Sequence, residues 1–446
     1  MPSRTAHRRA PHSRARNPVV WSLALGVFVA LSGCGTSEPL VGSDPNNADQ
    51  VEVFTWWTAG TDRVAYKALA GVFLGQNPGL EFIDASVSGS GGGQAREALA
   101  ARLTADNPPD TFQTVAGESL VEYADAGALQ NLTSWFAENE LDAAVFRTDL
   151  EDMLSVEGRQ YGVPSSINRV NVVWVNSGLL DAAGVGSTTA PQTIDAWLAD
   201  LAKVRASGVA YPLALGEGWT QVGLFETILI SDLGPGAYRN LWISARSWES
   251  PNVLKAVEHY GALLDFVDPA SRARDAEEAV DSVADGRAAY VVMADFASGA
   301  FDDAGLEFGD GYTAWPTPGT DGVFDFTADA FVVPVGAVHD RAAKAWLLSV
   351  ASTEGQRVFN LRRGSIPARI DADPSEFSPY QQGAFASFKV DTLVPSLAHG
   401  VAANREWSAT ITDLVVRFGI SRDAEWLAGA LTSAADEALK SSSPST

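Results

Sequence analysis

Val51-Glu52-Val53-Phe54-Thr55-Trp56-Trp57 opens the stretch whose reading decides the fold. Val51 to Phe54 is a short strand pattern, and from Asp62 the apolar residues Val64, Leu69, Val72 and Phe73 recur at helical spacing until Asn77-Pro78-Gly79 stops the helix. Residues 80–87 read as a second strand. Ser88 to Gly93 is a glycine loop, and Gln94 to Thr104 continues as an alanine-rich helix ended by Asn107-Pro108-Pro109. Strand, helix, strand, helix implies right-handed crossovers and a largely parallel sheet.

The pattern changes after Tyr161-Gly162-Val163-Pro164. Residues 171–176 form a fully apolar strand, and Ile194, Trp197, Leu198, Leu201 and Val204 mark one face of a helix over 191–207. Helices dominate to Asp281, residues 287–293 are strand, and strand returns over 324–335 after the Pro/Gly-rich passage at Trp315 to Gly319. Two α/β lobes, with the chain crossing between them more than once, account for this order. No internal repeat of fixed period is present.

Upstream, Arg4, Arg8, Arg9, Arg14 and Arg16 precede an apolar run from Val19 to Ala30 and the tetrapeptide Leu31-Ser32-Gly33-Cys34, which holds the chain's only cysteine. This is the pattern of a lipoprotein signal peptide over 1–33 with acylation at Cys34. The run is too short to cross a bilayer core of about 30 Å, and several acyl chains on one terminus anchor a soluble domain. An ordinary secretory signal with an incidental cysteine is the alternative. Residues 34–50, rich in Gly, Ser, Pro, Asn and Asp, are expected to be a flexible tether.

The chain has 446 residues with a formal net charge of −24, and its leader takes five of the 31 basic residues. So acidic a protein repels phosphate backbones, which argues against nucleic acid as a partner. One cysteine excludes internal disulfides, so a buried core must hold the fold. With 46% apolar residues and 13 Trp, the chain can supply one.

Trp56 and Trp57 fall at the carboxyl end of the first strand, where open α/β sheets place ligands. Successive strand residues point to opposite faces, so one of the two is expected in the core and the other in a cleft. An indole face suits the C–H face of a pyranose, with two core tryptophans as the alternative. The glycine loop lacks the Lys-Ser/Thr of a phosphate loop, and Gln94 replaces the third glycine of a dinucleotide fingerprint. His259, His339 and His399 are scattered without a metal-binding spacing, and Ser119 lacks the downstream glycine of a nucleophile elbow. Asp295 and Asp329 lie near Phe296 and Phe331 and could suit a glycosidase pair, but 55 acids make some such pairing inevitable.

With these features in hand, the chain resembles the family-1 extracellular solute-binding proteins of ABC sugar importers, above all the glucose/mannose-binding members. The likeness runs from Val51 to Leu439. It is carried by Phe54 to Thr58, Pro108 to Gln113, Ala214 to Gln221, Met293 to Phe296, Gly364 to Arg369 and Ser396 to Gly400. It implies a two-lobed periplasmic-binding-protein-like α/β fold of class II with the ligand cleft between the lobes. The expected N-terminal lobe is 51–164 plus 325–352, and the expected C-terminal lobe 165–324 plus 353–440. It further implies sugar stacking by Trp56 or Trp57 with Trp219, and polar contacts from Asp62, Gln113, Asp295, Arg363 and His399. Two positions depart from the family pattern: Val115 stands where His or Lys is expected, and Arg363 where Lys is expected.

The resulting expectation is a membrane-anchored extracytoplasmic receptor, monomeric and without cofactor, metal or catalytic activity. It captures a glucose- or mannose-like aldohexose and hands it to ABC permease subunits. A receptor for a short oligosaccharide and an extracellular carbohydrate-active enzyme are the alternatives.

Overall fold

The helix Gly60–Gln76 buries Ala65, Tyr66, Leu69, Ala70 and Phe73 along one stripe, and this stripe packs on the sheet begun by Gln50–Phe54. The computed structural model describes residues 42–88, 93–141, 144–270 and 274–441. The expected signal peptide at 1–33, Cys34 and the tip of the glycine loop at 89–92 lie outside the described residues.

Gln50–Phe54 pairs in parallel with Glu81–Asp84 on one side and Thr111–Val115 on the other, as the strand–helix alternation predicts. Val323–Val332 then pairs antiparallel with both Thr111–Val115 and Gly162–Arg169, and parallel with Thr392–Pro395. This first sheet is therefore mixed. Its core is aromatic: Trp57, Tyr66, Phe73, Phe331 and Trp346 interlock.

A second sheet orders Tyr312–Pro316, Val172–Asn176, Tyr290–Val292 and Leu213–Ala214. A separate core over it holds Trp197, Phe225, Tyr238, Trp248 and Tyr260. The chain passes between the sheets at 169–172, 316–323 and 395–403. Asn171, fully buried, ties the first two passages: its amide donates to Thr320 Oγ1 (2.8 Å) and the Val323 carbonyl (3.0 Å), and its oxygen accepts from Arg169 Nε (3.0 Å).

Three segment boundaries differ from the sequence expectation. The strand Gly162–Arg169 stays in the first sheet to its end, because Val323–Val332 pairs with it, across one register shift at Asp329/Ala330, as far as Arg169. The helix Thr353–Arg363, assigned to the second lobe, packs along Gly60–Gln76 and puts Phe359 against Trp57. The tether expected to reach Gln50 is pinned earlier. Ser43 N donates to Glu52 (3.3 Å), Gln50 Nε2 donates to the Asp44 carbonyl (2.7 Å), and His339 Nε2 lies 3.2 Å from the same oxygen. Among the described residues no helix is long and apolar enough to cross a membrane.

Candidate functional site

The parallel strands Gln50–Phe54 and Thr111–Val115 end side by side, and the site begins there. Trp57 is 0% exposed, with its ring centroid 5.7 Å from Phe331 and 4.8 Å from Phe359. Trp56 is half-buried, with the Arg96 guanidinium 5.8 Å from its ring centroid. Of the two indoles, Trp56 keeps the accessible surface. Trp57 serves as a floor, because the Arg363 guanidinium lies 5.0 Å over its ring.

Arg363 is the last residue of its helix. Gly364 follows with a left-handed φ of 86°, and a Cβ there would lie 2.6 Å from Ser298 Oγ, so the helix must stop at this point. Arg363 Nε donates to Asp62 Oδ1 (2.7 Å), and its Nη1 donates to Asp329 Oδ2 (2.6 Å) and Ser166 Oγ (2.7 Å). Burial opposes the guanidinium charge, but Asp329 and Asp62 outweigh it and hold the pKa above its ordinary value. Asp329 Oδ1 accepts from Gln113 Nε2 (2.7 Å), while Gln113 Oε1 accepts from Thr55 Oγ1. Thr55, Gln113, Asp329, Arg363 and Asp62 thus form one chain of hydrogen bonds. Both ends of the Gln113 amide are used inside it, so Gln113 holds Asp329 in place.

Trp219 opens the helix Gly218–Leu241 of the second core. Its indole N–H donates to Glu217 Oε1 (2.9 Å), and its ring meets His399 edge-on at 5.6 Å. Burial pushes His399 down to about 4, with Asp329 and Arg363 close enough to act on it from the first lobe. Its Nδ1 lies 3.0 Å from Ser396 Oγ. Val170, Met293 and Ala294 complete a pocket with Trp219 and His399 that encloses about 10 Å³, room for about one water.

Asp295 sits differently from the other predicted polar residues. It is 0% exposed, with Oδ1 accepting from Tyr380 Oη and Oδ2 from Arg169 N (2.9 Å), and burial pushes its carboxyl up to about 7. It braces the passage at Arg169 beneath the cleft. Val115 is 8% exposed, shares a strand face with Gln113 and faces Asp329 across the ladder.

Two contacts flank the site. One residue before Asp62, Thr61 stands so near Gly299 that a Cβ there would lie 3.1 Å from it. One residue beyond His399, the Gly400 carbonyl accepts from Ser119 N (3.2 Å) and Ser119 Oγ (2.8 Å). The charges of the cluster are paired internally, and aromatic faces lie beside them, a surface suited to a neutral polyol. Sequence reasoning gave Asp329 only a possible catalytic part and missed Ser166 and Thr55. A lone acid within Phe326-Thr327-Ala328-Asp329-Ala330-Phe331 was the available signal for Asp329.

The profile of the bacterial extracellular solute-binding protein family matches residues 57–357. The chain is 32% identical over 407 residues to an uncharacterised ABC transporter extracellular-binding protein of Pyrococcus horikoshii, covering 90% of this chain and 91% of that one. It is 31% identical over 378 residues to a probable sugar-binding periplasmic protein of Mesorhizobium japonicum, covering 83% and 88%. A solved bacterial solute receptor with an exclusive preference for β-D-galactopyranose shares the fold. Its TM-score is 0.78 at 16% identity, over 88% of this chain and 99% of that one.

Proposed function

The chain belongs to the bacterial extracellular solute-binding protein family, and from that premise we propose that it is a membrane-anchored receptor for a neutral monosaccharide of the aldohexose class. It hands the sugar to the permease of an ABC importer. The observation that carries the reading is the approach of the Arg363–Asp329–Asp62 cluster of one lobe to His399, which packs edge-on against Trp219 of the other. Trp56 and Trp219 offer rings for the apolar face of a pyranose, and the polar cluster offers groups for its hydroxyls.

The Thr61–Gly299 and Ser119–Gly400 contacts, one residue from Asp62 and His399, favour a single sugar over an oligosaccharide. The work is capture, not turnover. As a glycosidase pair, Asp295 and Asp329 would need carboxyl oxygens free to reach a glycosidic bond, whereas both oxygens of each are held by protein donors. Ligand bridging the lobes favours the closed form by its differential affinity for that form, with the three inter-sheet passages as the hinge. Acylation of Cys34 supplies the anchor, and the receptor acts as a monomer.

A thermal-shift screen against aldohexoses, pentoses and maltose-type oligosaccharides tests the reading. A monosaccharide at 100 times its dissociation constant adds about 2.7 kcal/mol of stability. Stabilisation by oligosaccharides alone overturns the monosaccharide assignment.

A further inference from the structure

Glu226 is the lone acid in the apolar run Val222-Gly223-Leu224-Phe225-Glu226-Thr227-Ile228, on the helix Gly218–Leu241 that carries Trp219. It is 0% exposed, and its bonds all lead toward one turn. Oε2 accepts from Leu397 N and Ala398 N (3.1 Å), and Oε1 accepts from Ser396 Oγ (3.0 Å). Ser396 Oγ in turn lies 3.0 Å from His399 Nδ1. Tyr238 Oη, 3.5 Å from Glu226, donates to the Pro395 carbonyl at 3.0 Å. Asp325 faces Glu226 from the neighbouring strand.

With Glu226 ionised, the proton count along this line has one solution. A hydroxyl has one hydrogen to give. Ser396 gives it to the carboxylate, which is acceptor-only when ionised, so the short contact to His399 must be filled by a hydrogen on Nδ1. A neutral imidazole then has a lone pair on Nε2. We propose that Glu226 is a positioning residue that acts through Ser396 to fix His399 as its Nδ1–H tautomer, so that Nε2 accepts a hydrogen bond from a ligand hydroxyl. The ligand half of this statement rests on the sugar-receptor reading; the tautomer half does not.

Glu226→Gln tests the relay in an isosteric side chain. The amide oxygen keeps the bonds from Leu397 N and Ala398 N, while the amide nitrogen now donates to Ser396 Oγ. The serine hydrogen must turn to His399 Nδ1, and Nε2 becomes the protonated nitrogen. Long-range ¹H–¹⁵N spectra of histidine-labelled protein, with His399 assigned through His399→Asn, read the tautomer directly. They are recorded at about pH 8.5, above the value of about 7 to which burial raises Glu226.

The expected result is Nδ1–H in the wild type and Nε2–H in Glu226→Gln. Affinity for the monosaccharide found by the screen falls by about 10- to 100-fold in the variant, because a hydroxyl meets a donor where it needs an acceptor. Should Glu226→Gln fail to fold, the wild-type tautomer and its loss in Ser396→Ala decide the matter. An Nε2–H wild type, or a tautomer unmoved by both substitutions, overturns the proposal. A protein that binds no sugar yet shows the Nδ1–H tautomer sinks the receptor reading and keeps the relay.

Discussion

Replacing Trp56 and Trp57 one at a time separates ligand contact from core packing within two adjacent residues. Trp56 is half-buried and its described ring partner is Arg96, an interaction worth about 0.5–1 kcal/mol at a partly exposed site. Trp56→Ala, which removes this contact and the partial packing of the ring on the first core, is therefore expected to cost less stability than Trp57→Ala. Stacking of a pyranose on one indole face removes about 100 Å² of apolar surface from water, which at about 25 cal/mol per Å² is about 2.5 kcal/mol. That loss weakens binding by about 70-fold. Trp57 touches Tyr66, Phe331 and Phe359 at 0% exposure, so Trp57→Ala opens a cavity costing about 3–5 kcal/mol of stability. It also removes the floor beneath Arg363. Urea denaturation and calorimetric titration of both variants supply the two readouts. Wild-type affinity in Trp56→Ala would refute the assignment of Trp56 to the sugar.

Three further outcomes are expected. Val115→His places a donor on the strand face that carries Gln113 and Asp329, and it should change the rank order of affinities for glucose, mannose, galactose and xylose; an unchanged order shows that position 115 does not read the sugar. Cys34→Ala should move the protein from the membrane to the soluble fraction, and retention on the membrane contradicts lipid anchoring. Burial raises Asp295 to about 7, so the folded state keeps a proton that the unfolded chain loses near the ordinary Asp value of about 3.9. Stability therefore falls as pH rises from about 4 to about 7 and levels off above that. Asp295→Asn should flatten this slope by up to about 4 kcal/mol in urea series, and a slope equal to wild type's refutes the assignment.

The alternation of strand and helix was legible because each early element carries its own period and its own stop, as at Asn77-Pro78. The division of Trp56 from Trp57 follows from strand geometry, but which of them faces the core depends on Phe331 and Phe359, residues more than 250 positions away. No local pattern encodes that choice. The polar cluster was half legible: Arg363 and Asp62 were named, yet the second carboxylate on Arg363, Asp329, and the Ser166 hydroxyl reach it only through the pairing of Gly162–Arg169 with Val323–Val332. The packing of Thr353–Arg363 on Gly60–Gln76 is likewise a tertiary fact. Glu226 left a trace, a single acid in an apolar helix, whose meaning appears only when the Ser396–His399 turn is laid against it.

Calorimetric titration of the purified protein with the stabilising monosaccharide, followed by release and chemical identification of the sugar, tests the receptor assignment most directly. The account predicts one saturable site per chain and recovery of the sugar unaltered. Absence of saturable binding across the monosaccharide panel, or recovery of a chemically changed sugar, would contradict it.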